Sequence, residues 1–151
     1  MPRIARSVHV SHTAEQMYRL VLDVPAYPAF LPGCSAARID EQSETHQVAT
    51  VVAAKSLKQT HFTTRNRLEP GEAIHVTLVN GPFERLEGTW RFTDLGDAGC
   101  QADLEVEFTF ASRLLGAVMG PAFTQVCDSL VKAFLRRADV VYGEPGRAAP
   151  S

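Results

Sequence analysis

Cysteine is scarce: Cys34, Cys100 and Cys127 are the only three in 151 residues, widely spaced and odd in number. No C-x-x-C pair exists, so neither a disulfide framework nor a zinc site is indicated, and free thiols in a reducing cytoplasm are the expectation. Long hydrophobic runs are missing as well. The greasiest stretch, Leu114 to Phe123, falls far short of the ~20 residues that a membrane span requires. The start reads unlike a secretory leader, because Met1-Pro2-Arg3 passes almost at once into the alternating stretch Ala5 to Val10. A net charge of only −2 argues against a surface built to grip bare DNA. Phosphate-binding glycine loops, dinucleotide fingerprints and a G-x-S-x-G nucleophile turn are all absent from the sequence.

What is present suits one domain of α+β class over residues 1–143, followed by a Pro/Gly/Ala-rich tail, 144–151, expected to be disordered. Ile4 to Val10 alternates as a strand, with Val8 and Val10 on one face. Thr13-Ala14-Glu15-Gln16 forms a T-x-x-Q capping box, and Met17, Leu20 and Val21 follow at helical spacing to about Asp23. Pro25, Pro28 and Pro32 confine the next stretch to a turn or a single helical turn. From Ala36 to Phe110 the period becomes two. The spacing predicts strands at Ala36–Asp40, His46–Lys55, Gln59–Leu68, Ile74–Asn80, Arg85–Phe92 and Ala102–Phe110, joined by short turns and hence antiparallel. A last helix spans about Ser112 to Tyr142, with Val126, Leu130, Val131, Phe134, Ala138 and Val141 on its apolar stripe and a break or kink expected at Gly120-Pro121.

Parity fixes the register. Centring the turns on Gly71, Pro82 and Asp97 sets Leu68 opposite Ile74, Asn66 opposite Val76, Thr64 opposite Leu78, Ile74 opposite Trp90, Trp90 opposite Leu104 and Leu86 opposite Phe108. One continuous apolar face of even-numbered residues results. Arg65, Arg67, His75, Thr77, Arg85, Glu87, Arg91, Asp103, Glu105 and Glu107 fall on the wet face. On the apolar face, Thr64, Asn66 and Gly88 lie among large aromatics. That mixture suits a dry core and a lined pocket equally well.

Four segments carry a family resemblance. They are Leu22 to Pro32 (LDVPAYPAFLP), Phe62 to Leu68 (FTTRNRL), Val79 to Trp90 (VNGPFERLEGTW), and Leu114-Leu115-Gly116 through Gly120-Pro121-Ala122-Phe123 to Arg136-Arg137-Ala138. In this order, over about Ile4 to Gly143, they resemble the coenzyme Q-binding protein / ribosome association toxin RatA family of the START-like (SRPBCC) polyketide cyclase/dehydrase superfamily. Ser112 departs from the Asn expected ahead of Leu-Leu-Gly, but both residues cap helices. The resemblance implies a helix-grip fold: a six- to seven-stranded curved antiparallel sheet wrapped on a long C-terminal helix, with two short helices after the first strand. It also implies a cavity for a lipid or a quinone.

Candidate ligand-binding residues are then Phe62, Trp90, Leu104, Val106, Phe108 and Phe110 on the sheet. Phe30 adds to them from the proline-rich segment, and Leu115, Met119, Phe123 and Leu130 from the last helix. Thr64 and Asn66 are the inward polar groups, placed to orient a quinone carbonyl. Catalytic and metal-binding residues are not expected. His9 and His12 straddle a strand end and a helix cap, His46, His61 and His75 lack ligand spacing, and the stripe Asp103, Glu105, Glu107 lies in water, without the desolvation that tunes a general acid.

The expectation is therefore a non-enzymatic, cofactor-free cytoplasmic protein binding an apolar isoprenoid lipid such as ubiquinone, with peripheral membrane contact through Leu114–Phe123. The alternative is a toxin binding the large (50S) ribosomal subunit and blocking subunit association, with Arg65, Arg67, Arg85, Arg91, Arg136 and Arg137 as its surface. A polyketide cyclase or aromatase ranks behind both.

Overall fold

The structure, a computed structural model, describes residues 3–31, 34–55, 58–81 and 83–143, with the side chains of 53–60, 115 and 118–126 outside that description. Seven strands and two long helical segments account for most of it. The strands are β1 (Arg3–Val10), β2 (Cys34–Gln42), β3 (His46–Lys55), β4 (Lys58–Glu69), β5 (Ala73–Asn80), β6 (Phe83–Asp94) and β7 (Cys100–Phe110). Helix α1 (Ala14–Leu22) and a 3-10 helix (Val24–Ala29) follow β1, and α2 (Arg113–Tyr142) ends the domain. The sheet order is β1-β7-β6-β5-β4-β3-β2: a six-strand meander whose last strand also receives β1, with all six ladders between described strands antiparallel.

Local chemistry starts the elements where the sequence predicts. Thr13 Oγ1 accepts from the Gln16 amide at 3.1 Å while the Thr13 amide donates to Gln16 Oε1 at 2.9 Å, closing the capping box. Met17, Leu20 and Val21 are buried on the inward face of α1. At its other end, two carbonyls that no helical amide reaches find side-chain donors: the Tyr27 hydroxyl donates to the Val21 oxygen, and Gln47 Nε2 donates to the Leu22 oxygen at 2.9 Å. Between β6 and β7, Gly99 adopts φ +97°, and a Cβ there would stand 2.0 Å from the Val10 carbonyl oxygen, so only glycine fits.

The parity register holds: Leu68 pairs with Ile74, Asn66 with Val76, Thr64 with Leu78, Ile74 with Trp90, Trp90 with Leu104 and Leu86 with Phe108. Arg65, Arg67, Arg85 and Arg91 are exposed on the opposite face, as expected. Register shifts at Thr63/Thr64 on β4 and at Phe83/Arg85 on β6 amend the pattern at one corner of the sheet. The second turns odd-numbered Phe83 inward opposite Phe110, where it is 6% exposed. Strict alternation misses this residue because a bulge inverts the side-chain phase.

Two features of the last helix differ from the sequence reading. α2 runs as one helix of 30 residues through Gly120-Pro121, so of the kink or break expected there the break does not occur. A proline removes one amide donor; beyond it the helix is anchored by Cys127 in one core cluster and by Val131, Phe134 and Ala138 in the other, while ahead of it Gly116 lies close beside the Phe110 ring. Val141, expected on the apolar stripe, is 47% exposed. Its place is taken by Tyr142, whose hydroxyl donates to the Gln16 carbonyl at 3.1 Å and ties the end of α2 to α1. The tail 144–151 lies outside the described residues.

Two measurements check this packing. Phe134 is 2% exposed and its ring meets Trp90, Tyr27 and Phe30 at centroid distances of 5.5, 5.5 and 5.3 Å. Phe134→Ala is therefore expected to lower unfolding free energy by about 3–5 kcal/mol in urea titration. On the outer side, Asp40 accepts from Thr50 Oγ1 at 2.6 Å and from Arg38 Nε at 2.8 Å, which holds its carboxyl below the ordinary carboxylate range, Thr50 contributing most. Its folded pKa is depressed, so the stability it contributes is complete above the unfolded value of about 4 and disappears as pH falls through the folded one. Melting temperatures of Asp40→Asn should accordingly depend less on pH below about 4 than those of the parent.

Candidate ligand-binding site

The concave face of the sheet meets the 3-10 segment and α2 through two aromatic groups. In the first, Tyr18, Phe92, Trp90, Phe134, Tyr27 and Phe30 form a chain of ring contacts between 5.3 and 6.3 Å. In the second, Phe83 stacks on Phe110 at 4.6 Å and touches Phe62 and Phe108 at 5.8 and 6.2 Å. Inward residues beside and between them are not closed off. Phe62, Thr64, Val76, Leu78, Leu86, Gly88, Val106 and Phe110 point into the domain yet remain only half-buried. Apolar surface that faces inward and still keeps accessible area is what a ligand-lined interior presents.

Each candidate residue can now be placed. Trp90, Leu104 and Phe108 are buried within the clusters, and Phe62, Val106 and Phe110 are half-buried at their margins. Leu130 reaches the first group from α2. Phe30 packs edge-on against Phe134 and lies under the Arg137 guanidinium, whose carbon stands 5.1 Å from the ring centroid. The side chains of Leu115, Met119 and Phe123 lie outside the described residues.

Thr64 and Asn66 do face inward, but they do not act alone. Gln47, 1% exposed, pairs with Asn66 across β3 and β4, and its Oε1 accepts from Asn66 Nδ2 at 2.9 Å. Thr64 Oγ1 donates to Asn66 Oδ1 at 3.0 Å. With Gln47 Nε2 on the Leu22 carbonyl, a polar chain of three side chains crosses the greasy face to the end of α1. Gln47 escaped the sequence reading because its strand runs on the opposite parity from β4. A polar residue opposite Asn66 in the ladder was the available signal.

The titratable groups near this interior are held neutral. Burial, chiefly, with Asp128 adding and Arg6 opposing, pushes the Cys127 thiol up to about 11, far from a thiolate nucleophile at neutral pH. Burial likewise raises Tyr27, whose hydroxyl is already donated to Val21. His9 and His12 do not converge: His9 faces the Ala98 carbonyl at 2.5 Å, and His12 faces Asp139 at 2.9 Å. On the outer face, an open groove of about 370 Å³ runs past Arg6, Ser7, Arg91, Asp103 and Glu105. Its charges are largely engaged, with Arg3 on Glu105 at 2.9 Å and Ser7 on Asp103.

Comparison with known proteins agrees with this geometry. Residues 10–135 match the family described as polyketide cyclase / dehydrase and lipid transport. The ribosome association toxin RatA of Vibrio cholerae is 47% identical over 144 residues, covering 95% of this chain and 100% of that protein. The mitochondrial coenzyme Q-binding protein COQ10 homolog B of Xenopus laevis is 28% identical over 134 residues, covering 85% of this chain and 54% of that protein. Among solved structures, an aromatase/cyclase from Streptomyces sp. R1128 superposes with a TM-score of 0.83 over 97% of this chain and 99% of its own, at 19% identity. That likeness is one of fold, the START-like helix grip also seen in a START superfamily protein from Mycobacterium smegmatis at a TM-score of 0.77, 19% identity, and 92% and 98% coverage. The motifs, the wrapped sheet and the full-length relative together place the chain in the polyketide cyclase / dehydrase and lipid transport family, in the branch that holds RatA and the coenzyme Q-binding proteins.

Proposed function

We propose that this chain is a ribosome association factor of the RatA kind, non-catalytic, whose helix-grip interior also holds an apolar, lipid-like molecule. The observation that carries the first half is the end-to-end 47% identity to a protein named for ribosome association. It places that reading ahead of quinone binding, the order opposite to the one the residues alone suggest. Arg65 and Arg67 supply an exposed basic strip on β4, with Arg91 on the same wet face. Such a strip suits contact with ribosomal RNA phosphates despite the acidic net charge. The proposed site of action is the cytoplasm, and no described helix is long and apolar enough to cross a membrane.

The half-buried apolar residues of the concave face support the second half, as does the weaker likeness to a coenzyme Q-binding protein. Ubiquinone and similar isoprenoids have the matching character: a long apolar body with one polar ring. A non-catalytic role fits the polar groups described on that face, which are amides and a hydroxyl rather than an acid–base pair. Aromatase/cyclase relatives share the fold, and fold alone does not transfer an activity.

Sucrose-gradient sedimentation of the purified protein with ribosomal subunits tests the first half. Co-migration with the large subunit is expected, weakened about tenfold by Arg65→Glu combined with Arg67→Glu, which as surface changes should leave the melting temperature nearly unchanged. Absence of co-migration would remove this reading. For the second half, organic extraction and mass spectrometry of the purified protein should yield an apolar lipid, and decylubiquinone should raise the melting temperature. Failure of both would count against a ligand.

A further inference from the structure

The polar chain on the concave face has a direction, and that direction is forced. The Leu22 carbonyl oxygen can only accept, so Gln47 must turn its NH2 group toward it, as it does at 2.9 Å. The other end of that amide is then an oxygen, and Asn66 must meet it with Nδ2, at 2.9 Å. Asn66 therefore presents Oδ1 to Thr64, and the Thr64 hydroxyl must donate, at 3.0 Å. Each assignment follows from the one before, so the usual ambiguity of amide orientation is removed by one backbone oxygen.

The consequence appears at the open end of the chain. A threonine hydroxyl has a single proton. Here it is committed to Asn66, and Thr64 is half-buried on the inward face while Asn66 is 7% exposed. What Thr64 can offer a molecule in the interior is a pair of acceptor lone pairs. We infer that Thr64 is a specificity-determining acceptor, and that this interior prefers a ligand with a hydroxyl or N–H donor beside its apolar body: a phenol, a hydroquinone or a long-chain alcohol binds more tightly than the matching ketone, quinone or ether. This rests on the apolar-ligand half of the proposed function and reverses, for Thr64, the expectation that its hydroxyl orients a carbonyl. Gln47 is the positioning residue, acting through Asn66 without touching the ligand.

Matched probes differing only in the donor test it: 4-nonylphenol and its methyl ether, 4-nonylanisole, titrated into the full chain. Trp90, the single tryptophan, lies on the inward face and provides the fluorescence readout. The phenol should bind at least about tenfold tighter, because a buried acceptor left without its donor rejects the ether. Simple partition into a greasy pocket would favour the anisole, so the preference cannot come from hydrophobicity. Thr64→Ser should keep the discrimination and Thr64→Val should abolish it, with circular dichroism confirming the fold of each. Equal binding of the two probes by the parent protein overturns the inference while leaving an apolar ligand standing. Binding of neither overturns both. A phenol preference that survives in Thr64→Val places the acceptor elsewhere and overturns the role of Thr64.

Discussion

The contact of Phe134 with Trp90, Tyr27 and Phe30 joins the three parts of the domain at one point. Phe134 belongs to α2, Trp90 to the middle of the sheet, and Tyr27 and Phe30 to the proline-rich segment after α1. A seven-stranded sheet with one apolar face must be covered, and one helix of 30 residues spans two clusters to cover it. The aromatic junction sets where that helix lies. Side chains away from it, toward Phe62, Leu78, Leu86 and Phe110, keep accessible surface because a single helix cannot fill a curved sheet from edge to edge.

The polar elements of the interior follow from the same constraint. Ending α1 above the sheet leaves carbonyl oxygens in a region poor in water, and unpaired they would be costly. Tyr27 and Gln47 satisfy two of them, and Gln47 then imposes its hydrogen-bond sense on Asn66 and Thr64. A structural need at a helix terminus is thereby transmitted across two strands to the group proposed to face a ligand. Fold stability and the proposed ligand selection share those side chains, so Gln47 and Asn66 belong to both.

On the outer face the physics is different. Arg3 and Arg85 pair with Glu105 and Glu87, contacts of small individual worth in water. Arg6 lies on the other side of edge strand β1, opposite Leu104, and extends to Asp128 on α2, placing a charge where the sheet would otherwise offer an open edge. The exposed arginines of β4 are positioned by strand alternation alone, with Arg65 and Arg67 opposite Thr77 and His75. Recognition of a large polyanion by such a strip needs no cavity, and a ligand in the concave interior needs no basic strip. One domain can therefore carry both without competition for residues.

The sequence by itself determined the architecture and the register. Alternation sorted Leu68, Ile74, Trp90, Leu104 and Phe108 onto one face, and the T-x-x-Q box located the start of α1 to the residue, because these are local, periodic signals. Phe62, Trp90, Leu104 and Phe108 were legible as interior residues for the same reason. The tertiary structure decided the rest. Phe83 turns inward through a bulge that no period announces, and α2 passes through Pro121 as one helix. Gln47 becomes the partner of Asn66 only once β3 is laid beside β4. Thr64 was visible from the start as a polar group on a greasy face. Whether it donates or accepts is settled by the carbonyl of Leu22, 42 positions away in the chain and neighbouring only in space.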